Sequence, residues 1–187
     1  MTGGSATDKS SHIILVGLPG AGKTSVGRAL ARALGRAFLD FDEEIERREQ
    51  RSIARIFRES GEAHFRALET SLTRELVGQH GMILSPGGGW ATDPSRVALL
   101  RPPARMIYLR VSPVTAVARL MGAGGLASRP LLVGHEGVSA NQTRVLAALE
   151  QLGAEREPQY ATADAVIDTE GIDIQRVTDR VARLVAP

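Results

Sequence analysis

Gly17-Leu18-Pro19-Gly20-Ala21-Gly22-Lys23-Thr24 is the stretch of this 187-residue sequence that decides the fold. The apolar run His12-Ile13-Ile14-Leu15-Val16 precedes it, and a helical pattern from Ser25 to Leu34 follows it. A strand, a glycine-rich turn, a lysine with a hydroxyl residue and a helix form, in this order, a cradle for phosphate groups. Glycines let consecutive backbone N–H groups point at one anion, and the helix start adds its positive dipole end. The stretch therefore predicts a site for a nucleoside triphosphate.

Two side chains of this loop have the chemistry that such a site needs. We expect Lys23 to reach the β- and γ-phosphates and the Thr24 hydroxyl to bind Mg²⁺. The sequence has two lysines, Lys9 and Lys23, among its 23 basic residues. Lys9 lies in a polar N-terminal stretch, so Lys23 is the lysine of the folded part.

Composition excludes several other classes of protein. The chain is 43% apolar and 24% charged, with a net charge of +2, which is too small a basic excess for a typical nucleic-acid binder. It has no cysteine, so disulfides and thiolate metal sites are excluded, and no apolar run approaches a membrane span. We expect residues 1–11 to be a disordered leader, residues 12–187 to form one domain, and the protein to be a cytoplasmic monomer.

Strand-like and helix-like segments alternate along the chain, which is typical of a parallel α/β sheet. We predict strands at 12–16, 37–40, 82–85, 105–110 and 163–167. Helices are predicted at 25–34, from 43, on both sides of Gly61, from the cap Asp93 to 100, at 113–121, at 139–152 and at 174–185. The predicted fold is one five-stranded parallel sheet flanked by helices.

Candidate ligand-binding residues follow two of these strands, at the end where ligands bind in parallel sheets, and a third candidate, Arg66, lies on a predicted helix. Of Asp40 and Asp42, one could hold a Mg²⁺-bound water and the other could accept a proton from a substrate hydroxyl. Alternatively, Asp42 only caps a helix and Asp40 is solvated. The Gly87-Gly88-Gly89 run, followed by Trp90, allows a ligand to approach the backbone closely, or it is an ordinary turn. Arg66 either extends its charge to water from an apolar helix face or holds a carboxylate with both nitrogens.

Taken together, these motifs resemble the shikimate kinases, within the nucleoside-monophosphate-kinase-like P-loop group, from His12 to Val185. The matching segments are the loop of residues 17–24, Asp40-Phe41-Asp42, Phe65-Arg66 with Leu68-Glu69, Gly87-Gly88-Gly89, Arg129-Pro130-Leu131-Leu132 and Arg156-Glu157-Pro158-Gln159-Tyr160.

The resemblance implies an ATP- and Mg²⁺-dependent kinase that phosphorylates shikimate. It implies that ATP binds Gly20, Ala21, Gly22, Lys23, Thr24, Ser25 and Arg129, and that Lys23, Asp42 and Arg129 are catalytic. Arg66 and Arg156 would hold the shikimate carboxylate, Asp42 the attacking hydroxyl, and Gly87, Gly88 and Gly89 would line the acceptor site. Mg²⁺ would be bound by Thr24 and, through water, by Asp40 and Ser85.

The resemblance also implies a mobile lid over residues 122–136, which carries Arg129. Gly122 stands where many members of this family have an arginine against the adenine, so we expect Arg119 or the Asp168–Gly171 turn to hold the base instead. Two alternatives remain on sequence grounds: a gluconate-type small-molecule kinase, and a non-catalytic ligand sensor built on the same fold.

Overall fold

The sheet has five parallel strands, as predicted, in the order β2-β3-β1-β4-β5. The computed structural model describes residues 11–122 and 142–186. The strands are β1 (Ile13–Val16), β2 (Phe38–Asp40), β3 (Ile83–Ser85), β4 (Arg105–Arg110) and β5 (Ala165–Asp168). All four residues of β1 are buried, because this strand is central and is covered on both faces.

Seven α-helices lie among the described residues and connect or flank these strands. They are α1 (Lys23–Leu34), α2 (Phe41–Glu49), α3 (Ile53–Glu75), α4 (Pro94–Leu100), α5 (Pro113–Gly122), α6 (Gln142–Tyr160) and α7 (Ile174–Val185). A short 3₁₀ turn, Trp90–Thr92, precedes α4. Asp93 caps α4, as predicted, by accepting a hydrogen bond from the Ser95 N–H.

Two glycines within helical patterns behave differently. Gly61 interrupts α3 with φ 81° and ψ 168°, so the two predicted helical parts are joined there by a kink. The helix predicted at 139–152 extends further in the structure, because α6 continues through Gly153 to Tyr160. A side-chain carbon at Gly153 would lie 3.7 Å from Leu18 Cδ1, an ordinary packing distance, so the helix passes this position without strain.

Parallel pairing brings the carboxyl ends of the strands to one edge of the sheet. β1 ends at Val16 directly before the glycine loop, and Asp40 at the end of β2 pairs in register with Ser85 at the end of β3. The residues singled out in the sequence are therefore neighbours here. The predicted leader, apart from Ser11, and the predicted lid with Arg129, apart from Gly122, lie outside the described residues.

Candidate active site

The glycine loop turns sharply between β1 and α1. Gly20 has φ 84°, and a side-chain carbon there would lie 2.7 Å from the Ala116 carbonyl oxygen. Only glycine adopts this conformation without strain and leaves room for that carbonyl. The buried Lys23 folds back over the loop, where its Nζ donates to the carbonyls of Gly17 at 2.9 Å and Leu18 at 3.2 Å. The loop thus holds a positive charge at the amino end of α1.

Asp40 connects the loop to two neighbouring strands. Its Oδ2 accepts hydrogen bonds from Thr24 Oγ1 at 2.7 Å and Ser85 Oγ at 3.1 Å, and its Oδ1 accepts from the backbone N–H groups of Asp42 and Glu43. Asp40 is therefore the buried N-cap of α2, and the alternative in which Asp42 is the cap and Asp40 is solvated is wrong. The cap leaves Asp42 in the first turn of α2, facing the cavity described below.

The Thr24, Asp40 and Ser85 oxygens form a donor set that suits Mg²⁺, which prefers hard oxygen ligands and keeps several of its waters. Over residues 11–122 and 142–186, no group of three or more His, Asp or Glu side chains could hold a metal ion. A single carboxylate with two hydroxyls is consistent with an ion that is shared with substrate phosphates rather than held by a protein cage.

Arg66 lies against the triple glycine. A side-chain carbon at Gly89 would be 2.6 Å from Arg66 Nη2, and one at Gly87 would be 2.9 Å from Glu69 Oε1 and 3.1 Å from Asp42 Oδ1. Glycine at these positions lets a guanidinium and two carboxylates approach the same short turn of backbone. The run is therefore more than an ordinary turn, because charged side chains occupy the space that its missing side chains leave.

Arg156 approaches the same turn from the other side. It is buried in the last turn of α6, and its Nη1 would be 2.8 Å from a side-chain carbon at Gly88. Arg66 and Arg156 thus flank the turn with two planar cations, the type of side chain that binds a carboxylate through paired hydrogen bonds.

One cavity of about 800 Å³ joins the phosphate loop, the two carboxylates and part of the glycine run. Its wall includes the loop from Gly20 to Val26, the carboxylates Asp40 and Asp42, and Ser85 to Gly88. Arg119, Thr169 and Ile172 also line it. The phosphate loop and the two predicted carboxylates therefore face the same space, whereas Arg66, Gly89 and Arg156 are not among the described residues that line it.

Arg119 connects the turn that contains Thr169 to the phosphate loop. Its Nη2 donates to the Thr169 carbonyl at 2.6 Å, and its Nη1 donates to Thr169 Oγ1 at 3.1 Å and to the Gly20 carbonyl at 3.4 Å. The two features that the sequence offered for the adenine, Arg119 and the turn at Asp168–Gly171, are thus in direct contact.

The family model described as shikimate kinase matches residues 19–186 of this chain. The chain belongs to the shikimate kinase family. A shikimate kinase of Chlorobium limicola is 37% identical over 174 residues, which cover 93% of this chain and 84% of that relative. A structure of the Acinetobacter baumannii shikimate kinase in complex with shikimate has a TM-score of 0.82 and 33% identity, covering 94% of this chain and 93% of the other.

A gluconokinase of Sinorhizobium meliloti is also similar, with a TM-score of 0.59. Its identity is 17% over 94% of each chain, so this likeness shows the fold alone. Family membership therefore favours the shikimate kinases over the gluconate-type alternative.

Two buried residues of this family member, Glu69 and Arg96, were not assigned roles from the sequence. Glu69 has no exposed surface, and its Oε2 accepts hydrogen bonds from Arg66 Nη1 at 2.7 Å and Arg96 Nη1 at 2.6 Å. Glu69 is three residues after Arg66 on the same helix, and this spacing could have predicted their ion pair. Arg96 lies on another helix, so no sequence spacing predicts its contact with Glu69. Trp90, which follows the glycine run, packs in the core and donates from Nε1 to Thr73 Oγ1 at 2.8 Å.

Proposed function

We propose that this protein transfers the γ-phosphoryl group of ATP to the 3-hydroxyl of shikimate, giving ADP and shikimate 3-phosphate, a step in aromatic amino-acid biosynthesis. One observation carries the proposal: a single cavity is lined both by the phosphate loop and by Asp42, Gly87 and Gly88. Donor and acceptor can then be held against each other, and positioning supplies much of the rate in phosphoryl transfer.

The loop residues from Gly20 to Ser25 would bind the ATP phosphates. Lys23 would exchange the carbonyls of Gly17 and Leu18 for the β- and γ-phosphate oxygens, a short movement of a flexible side chain. Arg129 is proposed as a second cation for the transferring phosphoryl group; it lies outside the described residues. Arg119 and the turn at Asp168–Gly171 would hold the adenine, since Arg119 and Thr169 line the cavity.

Mg²⁺ fits the oxygen donors at the base of the loop. Thr24 would hold the ion directly, and Asp40 and Ser85 would hold it through water. When bound, the ion neutralises charge on the β- and γ-phosphates and helps to orient them. Asp40 would keep the Thr24 hydroxyl in place and, as the cap of α2, also fix the position of Asp42.

Asp42 would accept the proton of the shikimate 3-hydroxyl. At the same time the hydroxyl oxygen forms a bond to the γ-phosphorus, and the bond from the γ-phosphorus to the ADP oxygen breaks. Because transfer needs little covalent help, orientation of the hydroxyl is as much its role as proton removal. Arg66 and Arg156 would bind the shikimate carboxylate with paired hydrogen bonds. The backbone of Gly87, Gly88 and Gly89 would approach the ring hydroxyls.

Location and assembly remain proposals from the sequence: a cytoplasmic monomer without a nucleic-acid or membrane partner. None of the helices in the described part of the chain has the length and apolar character needed to cross a bilayer.

Coupled measurement of ADP release with shikimate, with gluconate and with neither acid tests the proposal. We expect Mg²⁺-dependent turnover with shikimate only, and loss of several orders of magnitude in Lys23→Ala, which removes the cation on the phosphates. Turnover of gluconate with shikimate inert would overturn the assignment of substrate. Tight shikimate binding without any ATP turnover would favour the sensor.

A further inference from the structure

The hydroxyl of Tyr160 lies between the two loops of the active site. Tyr160 ends α6 and has no exposed surface. Its hydroxyl donates to the Gly88 carbonyl at 2.5 Å and lies 3.3 Å from the Gly17 carbonyl, a second acceptor. Gly88 belongs to the turn Gly87-Gly88-Gly89, called the acceptor turn below because it would receive shikimate. Gly17 begins the phosphate loop, so one side chain contacts both halves of the site.

Arg156 lies close to this hydroxyl. It precedes Tyr160 by one helical turn on α6, and a side-chain carbon at Gly88 would lie 2.8 Å from Arg156 Nη1 and 3.3 Å from the Tyr160 hydroxyl. A tyrosine hydroxyl has one proton to donate, so the Gly88 and Gly17 carbonyls share it, and its lone pairs can accept from the guanidinium. Burial raises the pKa of Tyr160, so the hydroxyl stays protonated and remains a donor at neutral pH.

The Gly17 carbonyl is also an acceptor for Lys23, at 2.9 Å. Under the proposed function, Lys23 turns to the nucleotide phosphates, and the Tyr160 hydroxyl then remains beside that carbonyl. The Tyr160 hydroxyl therefore links Gly17, whose contact with Lys23 would change when nucleotide binds, to Gly88, which would receive shikimate.

We propose that Tyr160 is a positioning residue that ties the phosphate loop at Gly17 to the acceptor turn at Gly88 and orients Arg156 toward the acceptor carboxylate. The inference rests on the proposed function for the identity of the two ligands. Because ordering one loop through this tie lowers the entropic cost of ordering the other, nucleotide and shikimate strengthen each other's binding, and removing the hydroxyl weakens that effect.

Tyr108 provides a matched control. Its ring is 5.1 Å from the Tyr160 ring and it is also buried, but its hydroxyl donates to Glu157 Oε2 at 2.7 Å. Tyr108→Phe and Tyr160→Phe each remove one buried hydroxyl from the same ring pair. They differ in that only the Tyr160 hydroxyl contacts the two loops.

Isothermal titration calorimetry with shikimate, with and without saturating Mg²⁺ and the non-hydrolysable analogue AMP-PNP, tests the inference. In the wild type and Tyr108→Phe, we expect tighter shikimate binding when the analogue is present. In Tyr160→Phe, the ratio of the two dissociation constants should fall toward one. The KM for shikimate should rise about five- to thirty-fold, as expected for loss of one buried hydrogen bond, and more than the KM for ATP.

An unchanged ratio in Tyr160→Phe, or an equal loss in Tyr108→Phe, would overturn the inference. Hydrogen exchange on the wild type provides a test that does not depend on the variant folding: AMP-PNP alone should slow exchange in residues 86–90, and no change there would also overturn it. A wild type that turns over ATP with shikimate but shows no coupling rejects the tie alone. A wild type that does not turn over shikimate rejects the proposed function.

Discussion

Replacing Glu69 with glutamine removes the negative charge that Arg66 and Arg96 share beside the acceptor turn. Both guanidinium groups donate to the same oxygen, Oε2, at 2.7 Å and 2.6 Å. The Arg96 side chain is 4% exposed and the Arg66 side chain 21%, while Glu69 is fully buried. Glutamine preserves the shape and one acceptor oxygen, and it leaves Arg66 with Glu62 and Arg96 with Asp93, at 3.2 Å, as the remaining counter-charges.

The expected loss of stability follows from this burial. At an effective dielectric constant of about 20, unit charges about 4 Å apart attract each other by about 4 kcal/mol. Removing one partner of a buried pair costs about 3–5 kcal/mol, because the other charge stays buried. Since glutamine still accepts a hydrogen bond and Arg66 partly reaches water, we expect a loss of about 2–4 kcal/mol, chiefly through Arg96. For a chain of this size, Tm should fall by about 5–15 °C.

Glu62→Gln is the matched control for this experiment. Glu62 also pairs with Arg66, at 2.7 Å, but its side chain is 52% exposed, so its removal should cost less than about 1 kcal/mol. Thermal and urea unfolding of both variants give the comparison, and steady-state kinetics should show a higher KM for shikimate in Glu69→Gln. Equal losses of stability in the two variants would refute the argument that burial of Glu69 sets the strength of this network.

Two further predictions concern carboxylates of α2. Asp42→Asn should lower kcat by about 10²–10⁴-fold with little change in the dissociation constant for ATP, measured by steady-state kinetics and nucleotide titration; near-normal turnover would reject its role. Hydrogen bonds from Arg47 and Arg48 lower the pKa of Glu44 from 4.5 to about 2, so the stabilisation from this carboxylate is present above pH 4.5 and is lost as the pH falls toward 2. Urea unfolding should therefore show Glu44→Gln less stable than wild type by under about 1 kcal/mol at pH 7, with the difference shrinking at pH 3; a constant difference would contradict this.

The sequence predicted the fold because its signals are local. A β-branched run before the loop, the glycines that the turn requires, and the alternation of strands and helices each depend on neighbouring residues, and the five-stranded parallel sheet followed from them. Helix ends were less certain, since Gly61 and Gly153 occur in similar helical patterns. Only the first has left-handed φ, and this depends on how the chain packs rather than on the glycine itself.

The site was predicted less completely, because its geometry depends on contacts between distant segments. Asp40 and Asp42 are two residues apart, and either could cap a helix. In the structure Asp40 is the cap, and it also pairs with Ser85 on the neighbouring strand, a contact that the local sequence does not show. The contact between Glu69 and Arg96 spans 27 residues, and the one between Tyr160 and Gly17 spans 143. Such pairs leave no local pattern to read.

The resting position of Lys23 has a consequence for the selectivity of inhibitors. Its ammonium group is held by the carbonyls of Gly17 and Leu18, so an adenosine-like compound without an anionic group gives the lysine no reason to leave them. Under the proposed function, such a compound would gain affinity only from the part of the cavity near Arg119 and Thr169. A compound that carries an anion into the loop must outweigh hydrogen bonds to a charged group worth about 1.5–3 kcal/mol each. Potency at this loop should therefore depend on the charge and placement of the anion more than on the fit of the base.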